Sequence, residues 1–268
     1  MKIVVCIKQV PATNDAKIDP ETKRIVREGT KAIMNPFDLY AVEEAVSIRE
    51  RVGGEVIALS MGPESAKNVL VEALSMGADR AVLLCDRAFG GSDTWATSYA
   101  LARAIDTLGG VDLVICGKQA VDGDTAQVGA GIAAKLDILQ AANVWKVESI
   151  EADAITVRRM NEKGWDIVRL RYPALLTVLK DINFPRIPAL RDARAARRAE
   201  IPLWKPEDIG AEADRIGLKS SPTQVVKTAP PPARDNVTRR IEGTPEEAAG
   251  AFVRELLDRG LLQEVKAQ

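Results

Sequence analysis

Four short apolar runs set the terms for any fold of this chain: Ile3 to Ile7, Val56 to Leu59, Ala81 to Cys85 and Val111 to Cys116. Each is continuous rather than alternating, as strands buried on both faces must be. Helical patterns separate them: Phe37 to Val52 after Asn35-Pro36, Glu64 to Ser75 after Gly62-Pro63, and Thr94 to Leu108 after Ser92-Asp93. Each begins with a capping residue or an early proline. Strands alternating with helices imply right-handed crossovers, so the expected fold is α/β with a doubly wound, mostly parallel sheet.

From about Trp145 the pattern turns to alternation. Ala154 to Arg159 and Trp165 to Arg171, joined by the turn Asn161 to Gly164, predict an antiparallel hairpin, with a further strand from Ala174 to Leu179. Past Arg186 the chain is rich in proline and charge, including Pro202, Pro206 and Pro230 to Pro232, before one amphipathic helix from Pro245 to Leu262. A stretch with so little continuous apolar content cannot build a core of its own. The expected division is therefore an α/β domain over residues 1–190 and a C-terminal arm over 191–268.

Composition removes whole classes of chemistry. The chain has no histidine, hence no hydrolytic triad and none of the commonest general bases or metal ligands. Any redox role must be carried by a bound cofactor. A formal net charge of -1 leaves no global field for nucleic acid or anionic membrane. No apolar run approaches the roughly 18 residues of a spanning helix, and a soluble, cytoplasmic protein is expected. Cys6, Cys85 and Cys116 show neither disulfide nor zinc spacing and read as small, readily buried side chains under loops.

Ligands of doubly wound sheets lie beyond the carboxyl ends of the strands, where Cys6, Met61-Gly62, Cys85-Asp86 and Cys116-Gly117 fall. The loop from Gly117 to Gly129 joins a buried strand to a helix start, which aims unpaired N–H groups and a positive dipole end at one spot, as a phosphate requires. A second strand-loop-helix unit, Cys85 to Thr97, brings Arg87, the pair Gly90-Gly91, Asp93 and the hydroxyls of Thr94 and Thr97. It reads either as a close backbone approach to an anion or as an ordinary glycine turn with a Ser/Asp cap. Two such loops at adjacent strand ends suit a dinucleotide better than a lone monophosphate. Gly129-Ala-Gly-Ile-Ala-Ala134 has the letters of a dinucleotide fingerprint, but its glycines fall inside the helix and read as helix packing. On local grounds Asn35-Pro36-Phe37-Asp38 is an N-cap with an N1 proline.

With Val5-Cys-Ile-Lys-Gln-Val10, Met34-Asn-Pro-Phe37, Ala41-Val-Glu-Glu-Ala45, Met61-Gly-Pro63, Ala73-Leu-Ser-Met-Gly-Ala-Asp79 and Gly117-Lys-Gln-Ala-Val-Asp122, the chain resembles the β subunit of electron-transfer flavoproteins over essentially its whole length. The resemblance implies a Rossmann-like, adenine-nucleotide-binding domain, with a C-terminal arm that wraps an α subunit holding the electron-transferring FAD. In the common members the β subunit holds AMP and electrons arrive from acyl-CoA or other dehydrogenases. In electron-bifurcating members it holds a second FAD and splits electrons from NADH between the α-subunit FAD and a low-potential acceptor, ferredoxin or flavodoxin.

The segment Asp86 to Thr97 resembles the bifurcating group, and Ala126 and Val128 stand where the AMP group carries Asn and Thr beside Gln127, so FAD is favoured over AMP. By the same carry-over the adenosine end lies against Cys6, Asn35 and Met61, and against Gly117, Lys118, Gln119, Asp122, Gly123, Asp124, Thr125, Ala126, Gln127 and Val128. The pyrophosphate and flavin extend toward Gly90, Gly91, Thr94 and Thr97, and Pro36, Phe37, Asp38, Gly62, Arg87 and Asp93 complete the expected cofactor-binding set. Leu179 to Ile187 resembles the family's loop for a partner dehydrogenase or quinone oxidoreductase, with Ile182 as exposed anchor beside Asn183 and Pro185. A stand-alone adenine-nucleotide sensor on the same fold is the remaining alternative.

Overall fold

The computed structural model describes residues 1–12, 32–226, 238 and 240–262. The first apolar run forms β1 (Lys2–Cys6), and the short strands β2 (Gln9–Pro11) and β3 (Ala32–Met34) pair antiparallel beside it as a separate two-stranded sheet. Then come α1 (Pro36–Val52), β4 (Glu55–Met61), α2 (Lys67–Ser75), β5 (Arg80–Leu84), α3 (Thr94–Leu108), β6 (Leu113–Gly117) and α4 (Val128–Leu136). The predicted helix start at Glu64 is a single 3-10 turn that passes into α2 at Lys67.

Beyond α4 the chain forms β7 (Leu139–Ile150), the hairpin β8 (Ala154–Asn161) and β9 (Gly164–Arg171), then β10 (Ala174–Val178), α5 (Leu190–Ala196) and β11 (Leu203–Trp204). The main sheet runs β11-β5-β4-β1-β6-β10-β7-β8-β9. Pairing is parallel from β11 to β7 and antiparallel only through β7, β8 and β9, so the fold is α/β with a mostly parallel sheet and an antiparallel extension.

Alternate residues of each strand feed opposite faces, as the period of two dictates. Ile3, Val5, Leu113 and Ile115 pack under α1 and α2, with Val42, Ala45 and Leu70. Val4, Cys6, Val114 and Cys116 pack under α3 and α4, with Tyr99, Ala100 and Ile132. The glycines of the apparent fingerprint serve the second layer. A Cβ at Gly129 would press on Thr177 of β10 and one at Gly131 on Ser98 of α3, so both glycines permit close packing within the protein.

Met1–Val226 forms one compact unit. Where the sequence suggests an arm from residue 191, the chain adds α5 and the edge strand β11, whose Leu203 and Trp204 pair with Leu83 and Leu84 of β5. Lys227–Gln268 forms a second unit, whose described helix α6 (Pro245–Asp258) ends earlier than the expected Leu262. Thr244 and Glu247 close a reciprocal capping box at its start, and none of its residues is buried. Pro230 to Pro232 lie outside the described residues.

Ile115 lies at the centre of the sheet and is fully buried. Ile115→Ala should therefore cost about 2–5 kcal/mol of unfolding free energy, read from denaturant midpoints at unchanged slope. A loss under about 1 kcal/mol would contradict the packing described.

Candidate functional site

Successive strands are laid outward from β1 through β4 to β5, and the chain then returns through α3 to place β6 on the opposite side of β1. The carboxyl ends of β1 and β6 thus diverge into different loops, and a cleft of about 1170 Å3 opens there. Cys6 and Cys116 form part of its floor. Lys8, Asn35, Asp38, the run from Gly117 to Ala120 and the loop residues Gly123 and Thr125 to Gly129 line one side; Met61, Gly62, Pro63, Arg87, Phe89 to Thr94, Thr97 and Thr223 line the other.

Asp38 organises the first side from within α1. Its carboxylate accepts the Lys8 N–H at 2.7 Å and the Asn35 amide at 2.9 Å. Asn35 in turn donates to the Gln119 carbonyl at 2.8 Å and accepts the Val121 N–H at 3.1 Å, which ties the Gly117 loop to the head of α1. Burial raises the Asp38 pKa, against the lowering effects of the Asn35 and Lys8 hydrogen bonds and the Lys8 charge, and the result is about 7. Gly117 is required where β6 crosses this point, because a Cβ there would collide with the Asp38 carboxylate and Phe37.

Four predicted contact residues stand behind the wall. Pro36 and Phe37 form the first turn of α1. Asp122 is ion-paired to Lys8 at 2.7 Å, and Asp124 accepts a hydrogen bond from the Gln119 amide. Asp124 and Ala126 both hold φ of 54°, a left-handed conformation that non-glycine residues rarely adopt and that marks a tightly determined loop.

The two helix starts in the cleft differ in electrostatics. At α3 the Asp93 carboxylate accepts N–H groups from Trp95 at 2.9 Å and Ala96 at 3.1 Å, together with the Thr223 N–H at 3.0 Å and hydroxyl at 2.8 Å. Desolvation pushes the Asp93 pKa up, but those hydrogen bonds outweigh it and hold the carboxyl below its usual range. This helix end already has its anion. At α4 the N-cap residue Gln127 makes no capping hydrogen bond, so the exposed dipole end faces the cleft at Val128 and Gly129. Thr94 joins the two starts by donating its hydroxyl to the Gln127 side-chain oxygen at 3.0 Å.

Sequence reasoning missed Lys8, Ser92, Ser221 and Thr223. Lys8 carried a local signal, a cation directly beyond a buried strand. The others carried none: the Ser92 hydroxyl accepts from Gly217 N–H at 3.0 Å, and Ser221 accepts from Asp93 N–H at 2.8 Å, both across long sequence separations.

On the far side of α1, the segment after β10 is set differently from its expected form. Ile182, expected as an exposed anchor, is half-buried and packs on the core. Asn183 donates to the Tyr40 carbonyl and the Glu44 carboxylate, both at 3.0 Å, and Pro185 is half-buried. Arg186 binds Glu43 at 2.9 Å and Glu50 at 2.6 Å. The apolar side chains that face outward are Phe184, Ile187 and Leu190, at 96, 94 and 90% exposure.

A large cleft at the switch point of such a sheet is a common architecture of nucleotide-binding α/β proteins. The electron transfer flavoprotein domain model matches residues 22–209. The chain is 50% identical over 232 residues to the electron transfer flavoprotein subunit beta of Thermoanaerobacterium thermosaccharolyticum, covering 86% of this chain and 88% of that one. It is 44% identical to the caffeyl-CoA reductase-Etf complex subunit CarD of Acetobacterium woodii, covering 98 and 100%, and to protein FixA of Azorhizobium caulinodans, covering 97 and 95%. The chain belongs to the electron transfer flavoprotein β-subunit family. No helix among the described residues is long and apolar enough to cross a membrane.

Because the folded-state pKa of Asp38 lies above the ordinary carboxyl value of about 3.9, the folded unit holds a proton there that the unfolded chain releases. That contribution is fully present below about pH 4 and is lost as pH rises toward about 7. Between pH 5 and 8, thermal unfolding should show a larger fall for the wild type than for Asp38→Asn, which has no proton to lose. Parallel profiles for the two proteins would show that Asp38 is already ionised at pH 5.

Proposed function

We propose that this chain is the nucleotide-bearing subunit of an αβ electron-transfer flavoprotein and that its cleft holds FAD. The observation that carries this reading is the extent of the cleft, which runs from the Asn35–Asp38 framework to Gly90, Gly91 and Thr94 at about 1170 Å3. That exceeds the roughly 300–1,000 Å3 of ordinary small-ligand sites and leaves an AMP-sized ligand with much of one wall uncovered. The residues fit a dinucleotide. The uncapped start of α4 with Gln127 and Thr94 suits a phosphate; Gly123, Gly90 and Gly91 allow close backbone approach; and Cys6, Met61, Phe89 and Leu101 offer apolar surface for rings. Asp38, Asp122 and Asp124 act in this reading through the loop they hold.

Bound FAD would supply the electron-carrying chemistry of the complex. The chain's own residues bind and orient it, and the burial of Cys6 and Cys116 keeps water from the floor. We place the complex among the bifurcating members, passing electrons from NADH to the α-subunit FAD and to ferredoxin or flavodoxin in the cytoplasm. The segment Leu179 to Ile187 is assigned to docking of a partner dehydrogenase, and residues beyond Val226 to contact with the α subunit.

The purified αβ complex should release about two FAD per heterodimer, one from the cleft of this chain and one from the α subunit. One FAD and one AMP would return the chain to the simple carriers, and a colourless stable monomer to the sensors. Thr94→Val should selectively weaken FAD retention in this subunit by about tenfold or more, since a hydrogen bond to a charged group contributes about 1.5–3 kcal/mol. Unchanged retention removes Thr94 from the site.

Two kinds of apolar residue in the docking segment should separate by assay. Phe184→Ala and Ile187→Ala should weaken dehydrogenase docking at unchanged melting temperature. Ile182→Ala should lower stability by about 1–3 kcal/mol, because its side chain is partly buried against the core. Docking lost only with Ile182→Ala, at full stability, reverses the assignment.

A further inference from the structure

The three cysteines of this chain all lie at carboxyl ends of strands along the cleft, and two of them are placed to react with one another. Cys6 of β1 and Cys116 of β6 are partners in register on adjacent parallel strands. Both side chains turn to the α3/α4 face. Neighbouring strands run about 4.7–4.9 Å apart, inside the 4.4–6.8 Å range of Cα separations that disulfides span. Cys85 is excluded by the same measure. Its strand β5 is separated from β1 by β4, which puts it roughly two strand spacings away.

We propose that Cys6 and Cys116 are an oxidation site, a dithiol that peroxides convert to a disulfide when the cleft is open and that a bound nucleotide shields. The shielding half rests on the nucleotide reading above; the pairing half does not. The reaction balances with hydrogen peroxide as the oxidant. One peroxide oxygen is transferred to the Cys6 sulfur, giving a sulfenic acid and one water. The Cys116 sulfur then displaces the hydroxyl, which leaves as a second water with the Cys116 proton, as the S–S bond forms. Two thiols lose two electrons and two protons, and peroxide is reduced to two waters.

Proximity to Cys6 and burial push the Cys116 thiol up, so Cys116 is the thiol that closes the bond. A disulfide holds its Cβ atoms about 3.5–4.5 Å apart, so closing the bond ties together the two strand ends from which the cleft diverges, and thiols open it again by exchange.

The test uses the purified αβ complex, as isolated and after removal of its nucleotides, exposed to hydrogen peroxide, quenched with an alkylating agent and digested for mass spectrometry. The stripped complex should yield a Cys6–Cys116 linked peptide that dithiothreitol removes, with Cys85 alkylated as free thiol. Cys6→Ser should give no linked peptide. Sulfenic or sulfinic acid on Cys85 with Cys6 and Cys116 still reduced would overturn the proposal, because it shows that oxidant entered the cleft and the pair did not react. Restoring FAD at about ten times its dissociation constant should slow linkage about tenfold, in proportion to the open fraction. If FAD is retained, as its absorbance reports, and linkage is not slowed, shielding is refuted. If the linked peptide forms but FAD does not rebind, the pairing stands and the cofactor reading fails.

Discussion

Everything distinctive about this molecule hangs on the pairing of β1 with β6. The ladder that aligns Ile3 with Leu113 and Cys6 with Cys116 joins two halves of a sheet wound in opposite directions. Its interior side chains are shared between two helical layers, Val5 and Ile115 below α1 and α2, Val4 and Val114 below α3 and α4. Because the two strands continue into loops that leave in different directions, the same pairing that fills the core also opens the crevice above it. Core and site are two ends of one ladder.

Around that crevice, charge is managed by the protein before any ligand is considered. Asp93 satisfies the start of α3, Asp122 neutralises Lys8, and Asp38 sits buried among donors. The start of α4, by contrast, has no side-chain cap from Gln127. A cleft with several acidic residues thus presents a net attraction for anions at one point, since each carboxylate is already spoken for by a nearby N–H or ammonium.

The four buried strands and three of the helices were legible because continuous apolar runs and capping residues are local signals. So was the loop after Cys116, since a strand, a glycine-rich turn and a helix start occur in one stretch. The position of β10 was not. Ala174 to Leu179 reads as a strand, but its insertion between β6 and β7 depends on tertiary pairing that no periodicity encodes. Leu203–Trp204 is too short to carry a period, and it became a strand only because the edge of β5 was free to take it. The resemblance to the family's docking loop puts Ile182 in the place of an exposed anchor, whereas Asn183 and Arg186 pin that segment to α1 through Glu44 and Glu43 and turn the isoleucine inward. Phe184 and Ile187 are the residues so displaced outward.

The second wall of the cleft depends on Ser221 and Thr223, which hold Asp93 and the Gly91 turn from across the chain. A polypeptide emerges from the ribosome N-terminus first. The sheet, both helical layers and the Gly117 loop can therefore condense while one wall is still unbraced. Only when the chain has been made past Thr223, out of 268 residues, does that wall acquire its support. In a nascent chain the capacity to retain a ligand should thus mature later than the fold itself, and a ribosome stalled before residue 223 would display a near-complete sheet with an unfinished site.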